Sequence, residues 1–205
     1  MTSPIAHFNG ELMPLDKVAI SPLDRGFIFG DGVYEVIPVY EGRMLRGREH
    51  YERLQRSMDE IRLKNPHTVD EWMALTAKLL EHHPGNQSVY IQVTRGVPPK
   101  RDHVLPQGLT PTVFMMCYPL ATPSREQVES GVACVTHRDF RWEKCHIKST
   151  SLLGNVLAAS RKPEREHRRV LHHPELVGRV GGTRKVERLH RPPRRLVSHQ
   201  AEFAR

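Results

Sequence analysis

The chain reads as a mixed α/β (α+β) protein whose body ends near residue 160. Three patterns carry that reading. Ser88-Val-Tyr-Ile-Gln-Val-Thr94 alternates as a half-buried strand does. Tyr51, Leu54, Met58 and Ile61 recur at spacings of three and four with Glu and Arg between them, which marks an amphipathic helix. Segments of both kinds take turns along the chain, so helices are expected to cover a sheet.

In order, Ile5 to Pro14 predicts a hairpin around Asn9-Gly10, a pair that accepts the positive φ of a tight turn. Lys17 to Ile20 is a short strand candidate. Val33 to Tyr40 is a longer one, closed by a turn at Glu41-Gly42. The helix with Tyr51 and Leu54 spans Glu49 to Leu63. Thr68-Val-Asp-Glu71 is a capping box, and Trp72, Leu75 and Leu79 continue it as a second helix. Thr112 to Tyr118 is a more uniformly apolar strand. Pro119 to Pro123 reads as a linker, followed by a short helix from Ser124, a strand near Gly131 to Thr136 and a helix from Ser151 to Ser160. The expected organisation is an N-terminal α/β domain over 1–120, the start of a second domain over 121–160, and a basic tail over 161–205.

The net charge of +8 belongs to that tail. Residues 1–160 hold 18 basic and 18 acidic side chains, so of the chain's 31 and 23, 13 basic and 5 acidic fall in the last 45 residues. Past Ser160 there is no Asp, Ile or Met, and Phe203 is the only Phe, Tyr or Trp. Such a stretch buries too little apolar surface to offset its ordering entropy, so disorder or weak structure is expected there. The tail could attract nucleic acid without sequence preference, but no recognition fold accompanies it, and the body is formally neutral. No 18-residue apolar run suggests a membrane span, and Met1 to His7 lacks a signal-peptide pattern. Cys117, Cys134 and Cys145 have no metal-ligand spacing and fit reduced thiols, so a cytoplasmic protein is expected.

Three segments could carry chemistry. Asp24-Arg-Gly-Phe-Ile-Phe-Gly-Asp-Gly-Val-Tyr-Glu35 is Gly-rich but has neither the phosphate-loop nor the dinucleotide spacing, and a structural turn explains it as well. Arg101 and His103, two apart in a Pro-rich loop, could form a carboxylate trap or a solvated loop. Lys148, beside Ile147 and before the apolar Leu152-Leu153, is either a partly desolvated, imine-forming amine or a snorkelling surface lysine.

Taken in order, these segments resemble the fold-type IV pyridoxal-phosphate aminotransferases, and their D-amino-acid (D-alanine) branch above the others. The resemblance rests on Asp24-Arg-Gly with Phe29-Gly-Asp-Gly-Val-Tyr-Glu-Val36, on Glu49-His-Tyr-Glu-Arg-Leu54, on Val93-Thr-Arg-Gly96, and on Arg141-Trp with Cys145-His-Ile-Lys-Ser149 and Leu152-Leu-Gly154. It implies a two-domain fold with an incomplete second domain and a homodimer. It makes Lys148 the lysine that holds pyridoxal 5'-phosphate and moves the substrate proton. Arg53 would hold the cofactor phosphate, and Tyr34, Arg101 and His103 the substrate carboxylate, with His50 supporting the site from beneath. The implied activity is transamination between a D-amino acid and a 2-oxo acid. Branched-chain aminotransferases and aminodeoxychorismate lyases share the lysine segment, but the Arg-x-His pair favours the D-specific branch.

Two parts of the family pattern do not occur after Ser160: the Thr-Glu-Gly-Ser-Ser-Asn-like stretch whose Glu faces the pyridine nitrogen, and the Gly-Ile-Thr phosphate segment. The break in composition reads as translation in another frame. An inactive remnant with weak cofactor binding and exposed apolar surface around Leu152-Leu153 and Val156-Leu157 is the competing expectation.

Overall fold

The computed structural model describes residues 3–131, 133–159 and 168–173. The chain divides into two compact units, Met1–Thr122 with Arg141–Leu157, and Pro123–Phe140 with Ala158–Arg205.

The first unit is built on six strands: β1 (Ile5–Phe8), β2 (Glu11–Pro14), β3 (Gly32–Tyr40), β4 (Arg43–Met44), β5 (Gln87–Thr94) and β6 (Thr112–Pro119). They form one sheet in the order β2-β1-β6-β5-β3-β4, with every pair antiparallel. Asn9 and Gly10 turn the first hairpin with φ of 48° and 99°, the backbone that Asn-Gly accepts. The register puts like with like on one face. Val33, Val93 and Val113 lie side by side, as do Ile37, Val89 and Cys117. Between them runs a row of Glu35, Ile91, Met115 and His7, apolar in the middle and polar at both ends.

Helices α2 (Gly47–Glu60) and α3 (Val69–Leu80) cover that face with Tyr51, Leu54, Met58, Trp72 and Leu79, all fully buried. The Thr68 box starts α3: Glu71 N–H donates to Thr68 Oγ1 at 3.3 Å, and Thr68 N–H donates to Glu71 Oε2 at 2.6 Å. Tyr51 bonds Thr76 through their hydroxyls, and its ring stacks on Trp72 at 6.0 Å. The strand at residues 112–119, expected to be uniformly apolar, also alternates: Val113, Met115 and Cys117 are buried, while Phe114 and Met116 are partly so.

Asp24-Arg-Gly-Phe-Ile-Phe-Gly-Asp31 forms α1 (Arg25–Phe29) and its flanks. Asp24 caps the helix by accepting from Gly26 N at 2.8 Å, and it also accepts from the hydroxyls of Thr94 at 3.0 Å and Thr112 at 2.7 Å. A Cβ at Gly26 would stand 2.3 Å from Thr94 Cγ2, which explains the glycine. The motif is therefore tied to β5 and β6 as structure. On the face of the sheet away from α2 and α3, a concavity of about 660 Å³ opens among Val18, Ile20, Phe27, Gln92, Phe114 and Thr150.

One element differs from expectation. Lys17 to Ile20 is no strand: Leu15–Lys17 forms a 3-10 turn, and Val18 and Ile20 then line the concavity without a partner strand among the described residues.

In the second unit, Ser124 caps α4 (Arg125–Ser130), again with a reciprocal box to Gln127, and β7 (Ala133–Arg138) follows. The tail also supplies a strand. β8 (Arg168–His173) pairs with β7 in parallel, Val170 opposite Val135, in the stretch where Val170-Leu171 restores strand-forming residues. The rest of the tail lies outside the described residues. Helix α5 (Leu153–Ala159) leaves Leu153, Val156 and Leu157 at least half exposed, as the composition predicted. Among the described residues no helix is long and apolar enough to cross a membrane.

His7 generates a test. Its side chain is 2% exposed and both ring nitrogens lack a hydrogen-bond partner. Burial, then the nearby His67, hold its pKa below the ordinary 6.5, outweighing a local backbone bond that raises it. The unfolded chain therefore binds the extra proton first, so stability falls as pH drops below 6.5 and is untouched above it. His7→Leu removes two unpaired polar atoms and is expected to gain about 1 kcal/mol at pH 8. The gain should be larger at pH 5. Urea unfolding at both pH values checks it, and an equal gain at both would reject the linkage.

Candidate active site

The site begins at the first residues of β3. Strand β4 pairs only with the far end of β3, at Val39 and Tyr40, and this leaves room beside Gly32 to Tyr34. The lysine segment fills it. Tyr34 N–H donates to Lys148 O at 3.0 Å, Thr150 N–H donates to Gly32 O at 3.0 Å, and Ser149 bridges Val33. Ile147 is buried in the core and Ser149 is buried beside Val33. In an extended segment the residue between them must point the other way. Lys148 does so, and its Nζ rests 3.8 Å from the centroid of the Tyr34 ring. The ammonium is thus held by an aromatic face and makes no ion pair among the described residues.

Helix α2 lines the same region with residues three and four apart. His50, Arg53 and Ser57 share one face. Ser57 Oγ accepts from Lys148 N–H at 3.3 Å, fixing the backbone of the lysine. Arg53 donates through Nε and Nη2 to the two oxygens of Glu35, at 2.5 and 2.7 Å, and His50 Nδ1 meets Glu35 Oε2 at 2.8 Å. Glu35 is wholly buried, whereas the Arg53 side chain is 46% exposed. Burial pushes the Glu35 carboxyl up, but hydrogen bonds from Arg53 and His50 with their charges more than offset it, so its pKa lies below the ordinary value. The Glu35 bond in turn raises Arg53, with a smaller contribution from Tyr34. The carboxylate occupies one edge of the guanidinium and leaves Nη1 free among the described residues.

Next to Tyr34, the Tyr90 ring lies 5.7 Å away and donates its hydroxyl to Gln92 Oε1 at 2.7 Å. Burial, then Tyr34, push the Tyr90 phenol up to about 12, so it stays protonated. The concavity adjoins this region through Thr150 and does not include Lys148.

Of the residues singled out in the sequence, Lys148 and Tyr34 meet directly, and Arg53 stands by them on α2. Arg101 and His103 gather elsewhere, around Phe29 of α1: the Arg101 guanidinium is 4.9 Å from its ring centroid and the His103 ring 5.1 Å. Glu35 and Ser57 were not singled out. Glu35 had a signal: on the apolar phase of Val33, Ile37 and Val39, a carboxylate must enter the core and must find a cation there. Ser57 had none beyond its helical spacing from Arg53.

The profile described as amino-transferase class IV matches residues 32–175. This chain belongs to the class IV amino-transferase family. D-alanine aminotransferase from Staphylococcus epidermidis is 42% identical over 151 residues, covering 73% of this chain and 53% of that protein. D-alanine aminotransferase from Listeria monocytogenes is 37% identical over 172 residues, covering 82% and 60%. Among solved structures of the same fold, Escherichia coli branched-chain amino acid aminotransferase superposes with a TM-score of 0.67 at 19% identity, over 78% of this chain and 56% of that one. The 4-amino-4-deoxychorismate lyase of Pseudomonas aeruginosa gives 0.65 at 19% identity, over 82% and 60%. The chain thus spans between 53% and 60% of the length of these class IV relatives. The family match also runs past the composition break at Ser160, to residue 175.

The ion pair yields an asymmetric expectation. Arg53→Ala strands the wholly buried Glu35 with His50 alone and should cost about 2–3 kcal/mol at pH 7, the solvent exposure of the guanidinium trimming the larger figure of a sealed pair. Glu35→Gln leaves a half-exposed cation that water can solvate and should cost about 1 kcal/mol or less. Because the Glu35 pKa is lowered, its contribution is present above the ordinary 4.5 and lost as pH falls, so the gap should close in acid. Denaturant unfolding of both variants at pH 7 and pH 4 tests this, and equal losses at pH 7 would contradict it.

Proposed function

We propose that this chain carries the amine-bearing half of a pyridoxal-phosphate-dependent aminotransferase site working between a D-amino acid and a 2-oxo acid. The observation that supports it above the others is the Lys148 amine, turned out of the core onto the Tyr34 ring and free of any acid among the described residues. The curated relatives cited above are D-alanine aminotransferases, which favours the D-specific branch over the branched-chain and lyase readings. A neighbouring fold, the Thermus branched-chain aminotransferase, has been solved with N-(5'-phosphopyridoxyl)-L-glutamate, at 17% identity and a TM-score of 0.66.

The residues fit a group with one aldehyde and one phosphate. An unpaired primary amine suits the aldehyde, and a guanidinium locked by its inner edge and open at Nη1 suits an anion. When bound, pyridoxal phosphate supplies the electron sink that lets an amino acid release its α-proton. Lys148 Nζ is the group that accepts that proton and returns it, and the Ser57 bond to its backbone keeps Nζ in one place. Tyr34 covers one side of the amine and keeps water off it. Arg53 holds phosphate, its aim set by Glu35. Arg101 and His103 take the substrate carboxylate, for which a guanidinium fork and an imidazole donor are suited. The active assembly is a homodimer in this reading, and the substrate pair is an amino acid with a 2-oxo acid.

Cofactor titration of the whole chain tests the proposal. Pyridoxal phosphate should bind weakly, since neither the Glu stretch nor the Gly-Ile-Thr segment is present, but it should give a visible absorption band that is absent in Lys148→Ala. With 2-oxoglutarate, D-alanine should be converted at least about tenfold faster than L-leucine, the factor set by about 1.4 kcal/mol of transition-state preference. A band that persists in Lys148→Ala overturns the assignment of the amine, and a preference for L-leucine overturns the D-specific reading.

A further inference from the structure

The Asp24 to Asp31 motif does more than turn the chain. Arg101, Asp102 and His103 lie on an exposed connection between β5 and β6, and each of the three is met by α1. The Arg101 guanidinium lies 4.9 Å from the Phe29 ring centroid, Arg25 Nη1 donates to Asp102 O at 2.5 Å, and the His103 ring lies 5.1 Å from Phe29 at 41°. Arg25 itself is 4.8 Å from the same ring, so Phe29 is faced by two guanidiniums and an imidazole.

The base of this arrangement is rigid. The Arg25 side chain is 5% exposed and its Nε donates to Asp31 Oδ2 at 2.7 Å. Asp31 also takes Arg95 Nε at 2.8 Å and Nη2 at 2.9 Å, and Arg95 donates onward to the carbonyls of Ile61 at 2.7 Å and Arg62 at 3.0 Å. The end of α2, the end of β5 and the start of β3 therefore converge on the one carboxylate that fixes Arg25. Within the connection, the remaining contacts of this tripeptide are local: Asp102 accepts from Val104 N–H and pairs with Lys100.

We propose that Phe29 and Arg25 are positioning residues that seat the Arg101-Asp102-His103 tripeptide and so aim its two carboxylate-binding side chains. This rests on the reading of Arg101 and His103 given under the proposed function. Neither Phe29 nor Arg25 touches substrate; Phe29 fixes where the Arg101 cation and the His103 ring stand, and Arg25 fixes the backbone between them.

Tryptic nicking after Arg101 reads the seat directly in the full chain, without cofactor. Phe29→Leu, with no π-face for the cations, should raise the nicking rate roughly fivefold or more while the thermal midpoint stays at its original value. Phe29→Tyr should restore the original rate. Arg25→Lys, which keeps the charge but loses the fork, should also speed nicking, and it decides the matter if Phe29→Leu does not fold. In the original chain 2-oxoglutarate should slow nicking by occupying the trap, and it should slow it less in Phe29→Leu. Nicking at the original rate in Phe29→Leu, or faster nicking that Phe29→Tyr fails to restore, overturns the seat. No slowing by 2-oxoglutarate in the original chain overturns the carboxylate reading instead, and the variant rates still decide whether the seat exists.

Discussion

The ionised Glu35 inside an apolar face is the constraint that organises the candidate site. It sits in the sheet row that continues through Ile91 and Met115, and a lone carboxylate there would cost several kcal/mol. Two cations from α2 neutralise it, so the helix can dock on β3 in only one rotation. That rotation also brings Ser57 to the Lys148 backbone and stands Arg53 at the solvent boundary. One buried charge thus links helix docking to the placement of the amine.

Much of the first unit was legible because its faces are consistent with their periods. The alternation in Val33 to Tyr40 and Ser88 to Thr94, the spacing of Tyr51, Leu54 and Met58, and the Thr68 box each named an element and the side it buries. Lys17 to Ile20 misled because a short apolar run is a strand only if an edge is there to receive it. The basic tail misled in the other direction: average composition hid the local pair Val170-Leu171, around which β8 forms.

The site was legible unevenly, and chemistry rather than pattern drew the line. Lys148 stood out because an amine bracketed by Ile147 and an apolar run has few structural uses. Arg53 stood out through a motif, but the carboxylate that governs it did not, since its partner is 18 residues away in sequence. The reach of Arg101 and His103 depends on an aromatic ring more than 70 residues upstream, and no local window contains both.

The stretch around Lys148 has a second consequence, for the sheet as a surface. Strand β3 is nine residues long and β4 pairs with only two of them, so without a cover its opening residues would offer bare backbone groups to any passing strand. The bonds at Gly32 and Tyr34 close that margin. During synthesis the cover emerges more than a hundred residues after the strand it protects. Until then the nascent chain carries an adhesive border, and the same few residues that present an amine also guard against self-association.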